Sequence, residues 1–471
     1  MPNLLCFRFE YLAQAGTRGP ARCLAMARSV ALMALLIVRG ASGVTATEPA
    51  AGQSIDLARA AQYFVEAEAL SRQDGGRLWG VSLYGPMILV DPQTHTAVAN
   101  QADLEGKLQA KDGVFVGKLP PEMGLANTAS NWAGVQWTTV IWPLSDDRQE
   151  RLRLMMHESF HRVQPKLGMP ARDAVNNHLD SLQGRIWLEL EWHALERALG
   201  QDAEARRQAI EDALYFRSFR RSLYPGAAAN ENALELNEGL AEYTGVKLST
   251  LSMAAFVKVA DTNLQERLSR SSGFTRSFAY TSGPVYGCLL DARSPDWRRS
   301  LTPQSDLGQL LAAAYGIKSP APDRGEAIRR AQAYNGDGII AQETAKERLR
   351  EEEVSAARKQ FVEGPVLILP AGTQFGYTFN PNALLAIDGD TTVYEGEVQA
   401  SGAWGVLQSS KGFLTIRHNG RMVRVQVPAP AQVNSRPLKG DGWTLVLQKG
   451  WVLATGDRAG DYVLKPENAQ P

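Results

Sequence analysis

Apolar residues recur along this chain with changing periods, and the changes divide it into segments. From Ile55 to Ser71 the spacing is helical, with Leu57, Ala61, Phe64 and Val65 on one face. From Leu78 to Leu144 the runs VSLYG, MILVD, AVAN, VFVGKL and WAGVQWTTVIWPL are β-branched or aromatic. Gly, Pro and Asp punctuate them, which predicts a mixed sheet. At Ser145 the period returns to that of a helix. Ser145 is placed to cap a helix over about 146–163, which Pro165 stops. Further helices are predicted over 175–199 and 203–223, and a fourth capped by Asn230 and ending at Gly245. Helical spacing continues through Leu307 to Tyr315 and again from Ile339 to Val362. After Gly364 the chain turns to short strand-like runs, among them VLIL, FGYTF, TVYEG, GFLTI, MVRVQV, WTLVLQ and WVLAT.

The pattern predicts an α+β protein. Residues 47–144 form an N-terminal α/β part, 145–363 a helical subdomain and 364–471 a C-terminal all-β sandwich or barrel. The first 46 residues read differently. Met26-Ala27-Arg28 is a short positive stretch, Val30 to Val38 is apolar, and Val44-Thr45-Ala46 fits a small-residue cleavage site. This is the layout of an export signal, with Met26 as an alternative start, and it places the mature chain in the periplasm or outside the cell. The apolar stretch is too short to span a bilayer.

Composition narrows the partners. Lys+Arg and Asp+Glu are both 50, so no basic excess points to nucleic acid or an anionic membrane. Of the three cysteines, Cys6 and Cys23 precede the cleavage site, so Cys288 alone would remain, in an apolar stretch that suits packing.

The chemistry concentrates in two segments. His157-Glu158-Ser159-Phe160-His161 is an H-E-x-x-H box in a chain with only six His. Two imidazoles at i and i+4 stand one turn apart on one helix face and can converge on one ion, while the intervening Glu158 can serve a bound water as base. With Leu152 set at zero on a helical wheel, Met155, Met156, Phe160 and Val163 fall within about 80° of it, and His157 and His161 lie at about 140° and 180°. The helix thus offers its back to a core and its histidines to a cleft. Glu231, Glu235, Glu238 and Glu242 follow 4-3-4 spacing on a later helix. Such a stripe reads as a solvated face or as a source of a third ligand. Gly239, costly inside a helix, suggests close approach to the histidine helix.

HESFH followed by NEGLAEY resembles the gluzincin clan of zinc metallopeptidases, to which thermolysin and aminopeptidase N belong. The resemblance implies a zincin-like catalytic region with Zn2+ as cofactor. It implies His157, His161 and Glu238 as metal ligands, Glu158 as general base and Glu242 as the carboxylate that orients a ligand histidine. Tyr280, in a Y-x-x-G segment, matches the oxyanion-stabilising tyrosine of aminopeptidase N relatives, with Tyr286 as the alternative. It covers roughly 130–290, and the interval between His161 and Glu238 is much longer than in those relatives. The function implied is hydrolysis of a peptide or protein substrate. A binding or assembly protein without turnover, and a zinc amidase acting on cell-wall peptides, are the alternatives. Glu189 with His193 is a second i, i+4 pair, read as a surface or inter-helix contact, and Trp187 and Trp192 read as packing. His95, His178 and His418 have no partner legible in the sequence. The mixed-sign run Lys346 to Lys359 reads as a solvated helix face.

Overall fold

The computed structural model describes residues 55–467, apart from 121–122, 124, 173, 175, 201, 270–272, 319–320, 373–374, 380–382 and 419–420. The export-signal reading, Met26 included, lies outside the described residues. Within them no helix is long and apolar enough to cross a membrane.

The protein is α+β, as the periodicity predicts. Helix α1 (Leu57–Asp74) is capped by Asp56, whose carboxylate accepts from Arg59 N. A six-stranded sheet follows: β1 (Met87–Val90), β2 (Thr96–Ala99), β3 (Gln109–Lys111), β4 (Val114–Lys118), β5 (Thr128–Trp132) and β6 (Val135–Ile141). Its order is β3-β4-β2-β1-β6-β5. The sheet is mixed because β1 and β6 run parallel while every other pair is antiparallel. The run VSLYG forms no strand. It is held instead by side chains: Ser71 Oγ accepts from Tyr84 N at 3.0 Å, and Arg162 donates to Leu83 O at 2.7 Å.

Helix α2 (Arg148–Val163) begins two residues later than predicted. Asp147, not Ser145, caps it and accepts from Glu150 N at 2.8 Å. A carboxylate satisfies a helix N-terminus and also complements its dipole, an advantage a hydroxyl lacks. Leu152, Met155, Met156, Phe160 and Val163 are buried in one large core with Tyr63, Leu89, Val140 and Trp142. Arg162 also reaches from α2 to Thr138 of β6, so the helix is tied to the sheet by polar bonds as well as by apolar burial.

The helices that follow shape the site. A 3-10 turn (Asn177–Asp180) precedes α3 (Leu182–Gly200), where a single helix over 175–199 was expected, and α4 is Ala203–Ser222. Helix α5 (Ala227–Leu234) starts just after Gly226, whose φ of 80° makes the turn out of Tyr224-Pro225, so Asn230 lies inside the helix and Gly226 holds the N-cap position. The chain then passes through a π-helical turn, Glu235–Gly239, into α6 (Leu240–Ser249). Gly245 does not end that helix. A Cβ there would lie 2.5 Å from Arg153 O, so it is the glycine at which this segment touches α2. Gly239 faces elsewhere. It meets Ala279 and Gly283 of α8 (Phe274–Arg293), where a Cβ on Gly283 would lie 2.3 Å from Gly239 O.

Helices α7 (Met253–Leu268), α9 (Leu307–Tyr315), α10 (Arg324–Ala331) and α11 (Gly336–Arg358) complete this part. Beyond α11 the described residues form thirteen strands, β7 (Val366–Pro370) to β19 (Tyr462–Pro466), in a seven-stranded and a six-stranded sheet. Leu367, Val425 and Val427 of one sheet share a core with Ala400, Leu407 and Leu445 of the other, which makes the C-terminal module a sandwich.

Candidate metal centre

Helix α2 presents His157 and His161 to the π-helical turn and the start of α6. In that turn Leu240 N–H bonds Glu235 O, five residues back instead of four. The inserted residue changes the facing of the acidic stripe. Glu231 and Glu235 point toward α4, where they meet Arg217, Arg220 and Arg221. Glu238 and Glu242 point toward the histidines. All four acids are buried, so the solvated-face reading of the stripe is overturned. Three cations from α4, Arg217 and Arg220 buried and Arg221 half-buried, compensate its first half.

Around the histidines three atoms close a triangle. His157 Nε2 and His161 Nε2 are 3.2 Å apart, and Glu238 Oε2 lies 3.5 Å from the first and 3.4 Å from the second. Each imidazole is oriented from behind. His157 Nδ1 meets Glu242 Oε2 at 2.8 Å, and His161 Nδ1 meets Gln164 Oε1 at 3.0 Å. Both partners are acceptors, so each Nδ1 carries the proton and each Nε2 of a neutral ring is a bare lone pair. The Gln164 amide cannot be turned around, because its nitrogen already donates to Leu236 O.

Two lone pairs and a carboxylate oxygen at this spacing repel one another unless a positive charge sits among them. Burial pushes the His157 ring toward neutrality, but Glu238 and Glu242 outweigh it and hold its pKa up at about 10. Burial likewise raises Glu238, and bonds from His157, His161 and Tyr280 reverse this and take it far below the usual carboxylate range. Both shifts favour a positive charge among the three atoms. Zinc fits the donor set: ligand distances of about 2.0–2.1 Å in tetrahedral geometry require edges of about 3.3–3.4 Å between donors. Among the described residues His157, His161 and Glu238 form a group of His and acid side chains whose ligand atoms all lie within 4.8 Å of one another.

Glu158 is buried, yet its Oε2 has no hydrogen-bond partner. Burial raises its pKa, against the pull of His157 and His161, so it holds a proton more readily than an ordinary glutamate. It lines a cleft of about 550 Å³ together with Asn127, Leu154, His157, Glu242 and Tyr280. Tyr280 is brought to the same place. Its ring stacks on His157 at 5.5 Å and 9°, and its hydroxyl donates to Glu238 Oε2 at 2.6 Å. Burial and Glu238 keep that hydroxyl protonated. The alternative, Tyr286, is fully buried elsewhere and donates to Glu191 at 2.8 Å, so it is excluded from the site.

Four contributors escaped the sequence reading. Gln164 supports His161. Arg153, one turn before His157, pairs with Glu242. Asn237 donates to Glu238 Oε1 at 3.3 Å, and Arg276 lies 3.6 Å from the same oxygen. Arg153 sits at i−4 to His157, a spacing that could have marked it as a neighbour of the centre. Nothing comparable marked Gln164.

The remaining candidates lie apart from this centre. His178 does have a partner, Glu231 Oε1 at 2.8 Å. His193 pairs with Glu196 on its own helix. Cys288 is buried, and burial pushes its thiol up to about 12, which suits packing. Trp187 packs on Phe216 and Phe219, while Trp192 packs on Phe274 and also donates to Ser282 Oγ at 3.0 Å. The Lys346–Lys359 face is not wholly solvated: Glu347 pairs with Arg185 at 2.7 Å. A groove of about 720 Å³ on the C-terminal sandwich is lined by Gln399, Gln408, Lys439 and Thr444, with no imidazole or thiol.

Glu189 is buried, and its carboxyl is pushed up to about 7, first by burial and then by Glu343. An acid whose folded pKa exceeds its ordinary 4.5 costs stability once ionised, so stability falls as pH rises from 4.5 to about 7. Glu189→Gln removes this charge. Urea unfolding should show variant and wild type alike below pH 4.5 and the variant more stable above about pH 7.

No family model, no curated protein and no solved structure matches this chain.

Proposed function

We propose that this protein is an exported zinc-dependent peptidase with a gluzincin-type catalytic region. The observation that carries the proposal is the triangle of His157 Nε2, His161 Nε2 and Glu238 Oε2 beside the unpartnered Glu158 Oε2. In this reading His157, His161 and Glu238 hold the ion. When bound, zinc polarises a carbonyl and lowers the pKa of water toward about 7. The chain's own groups do the rest. Glu158 accepts a proton at Oε2 from the attacking water and returns it to the leaving amine. A glutamate whose pKa burial has raised is suited to holding that proton between the two steps. Tyr280, protonated and stacked on His157, turns its hydroxyl from Glu238 to the developing oxyanion. Glu242, clamped by Arg153, keeps the His157 ring in the tautomer that leaves Nε2 free.

Elemental analysis of purified protein combined with digestion of a peptide library tests the reading. One zinc per chain and cleavage that stops on chelation and returns with zinc are the expected result. Stoichiometric zinc with every peptide intact would exclude peptidase action, and absence of zinc binding would remove the centre itself. Peptidoglycan fragments in the same digest separate a cell-wall amidase from a peptidase.

A further inference from the structure

We infer that Gln164 is a positioning residue of the metal centre. Its side-chain oxygen sets the tautomer of His161, and its nitrogen holds the π-helical turn that carries Glu238. The inference rests on the metal-centre reading above and adds a residue to it.

Gln164 ends α2 and opens a 3-10 turn, Gln164–Leu167, in which Pro165 fixes the backbone direction. Its side chain is 1% exposed. A primary amide is costly to bury unless both ends are bonded, and an apolar side chain would fill the same space without that cost. Here both ends are bonded, and each bond leads to the centre. Oε1 accepts from His161 Nδ1 at 3.0 Å, which leaves His161 Nε2 as the ligand atom. Nε2 donates at 3.4 Å to Leu236 O, inside the turn and two residues before Glu238. One side chain thereby links the helix that supplies two ligands to the turn that supplies the third.

The two histidines are also supported unequally. His157 leans on a carboxylate, Glu242, whereas His161 leans on a neutral amide. A neutral partner fixes the tautomer without adding a negative charge next to the ligands. An ion bound there would keep more of its charge for a carbonyl in the cleft.

Zinc affinity measured by chelator competition tests this, with wild type, Gln164→Leu and Gln164→Glu compared below the unfolding temperature of all three zinc-free proteins. Gln164→Leu is expected to weaken binding by about 10–100-fold. Gln164→Glu still accepts from His161 and is expected to bind at least about tenfold more tightly than Gln164→Leu. A merely structural role predicts instead that both variants lose affinity in step with their unfolding temperatures. Affinity of Gln164→Leu within about threefold of wild type, or equal loss in both variants, overturns the inference. The wild-type protein offers a check that needs no substitution. In the nitrogen NMR spectrum of the zinc-loaded protein His161 should be protonated at Nδ1, and protonation at Nε2 overturns the inference. Failure of the wild type to bind zinc at all would instead strike the metal centre.

Discussion

Replacing Glu158 by Gln is expected to leave a protein that binds one zinc ion with little change in affinity and hydrolyses peptides about 10²–10⁴-fold more slowly. The amide has the size of the carboxyl group, so a site that is only 5% exposed can accept it without a cavity. The charge it removes is one that burial already disfavours, so stability should hold or rise. Only the ability to take and return a proton disappears. Single-turnover kinetics on a fluorogenic peptide, with zinc content measured on the same sample, gives both readouts. His157→Ala and Glu238→Ala should behave differently and lose the ion together with the rate. A Glu158→Gln protein with full zinc and wild-type kcat would mean that another group moves the proton, and the unpartnered Oε2 would need a different explanation.

The parts of this centre that could be read from sequence are those that helix geometry fixes locally. The i, i+4 spacing puts His157 and His161 on one face whatever surrounds them. Glu238 and Glu242, four apart on the next ligand-bearing segment, could be paired with that face by motif. What stayed hidden depends on relations between elements. The π-helical turn at Glu235–Gly239 has no composition of its own, and it is the turn that sends Glu231 and Glu235 one way and Glu238 and Glu242 another. The solvated-face reading of that stripe had a remedy in the sequence, since Arg217, Arg220 and Arg221 recur at i, i+3 and i+4 on α4. Two complementary charged stripes on neighbouring helices are a legible sign of burial, provided both are considered. Gly239 shows the same limit. It was expected to approach the histidine helix, but the fold sets it against α8, and Gly245 is the glycine that meets α2. The all-β character of the C-terminal module was the easier part, because alternation in short runs survives any arrangement of the strands, whereas sandwich and barrel share it.

Truncating Arg220 is expected to lower the stability of the protein by about 3–5 kcal/mol. Its guanidinium is 0% exposed and bonds Glu231 through Nε at 3.1 Å and Nη2 at 2.9 Å, while Nη1 reaches Glu191. Burial alone would raise the Glu231 carboxyl, and Arg220 and Arg221 reverse this and hold it well below the usual range. A group with a depressed folded pKa contributes stability above its unfolded value, and that contribution is lost as pH falls. In Arg220→Ala the two acids remain buried with less compensation, so the loss should be greatest at neutral pH. It should shrink as acidification neutralises Glu231 in the variant. Urea unfolding at several pH values measures this. A companion double variant, Arg220→Ala with Glu231→Ala, should be less destabilised than the sum of the two singles, because the Arg220–Glu231 pair then leaves neither member alone, while Glu191 keeps Arg217 and Arg221 keeps Asp306. Glu231 stands on the same continuous helical segment as Glu238, so zinc affinity should fall with the single substitution and recover in part in the double. Were Arg220→Ala to unfold like the wild type at neutral pH, the buried network would not hold the ligand-bearing helix, and the support of Glu238 would have to come from α2 and α8 alone.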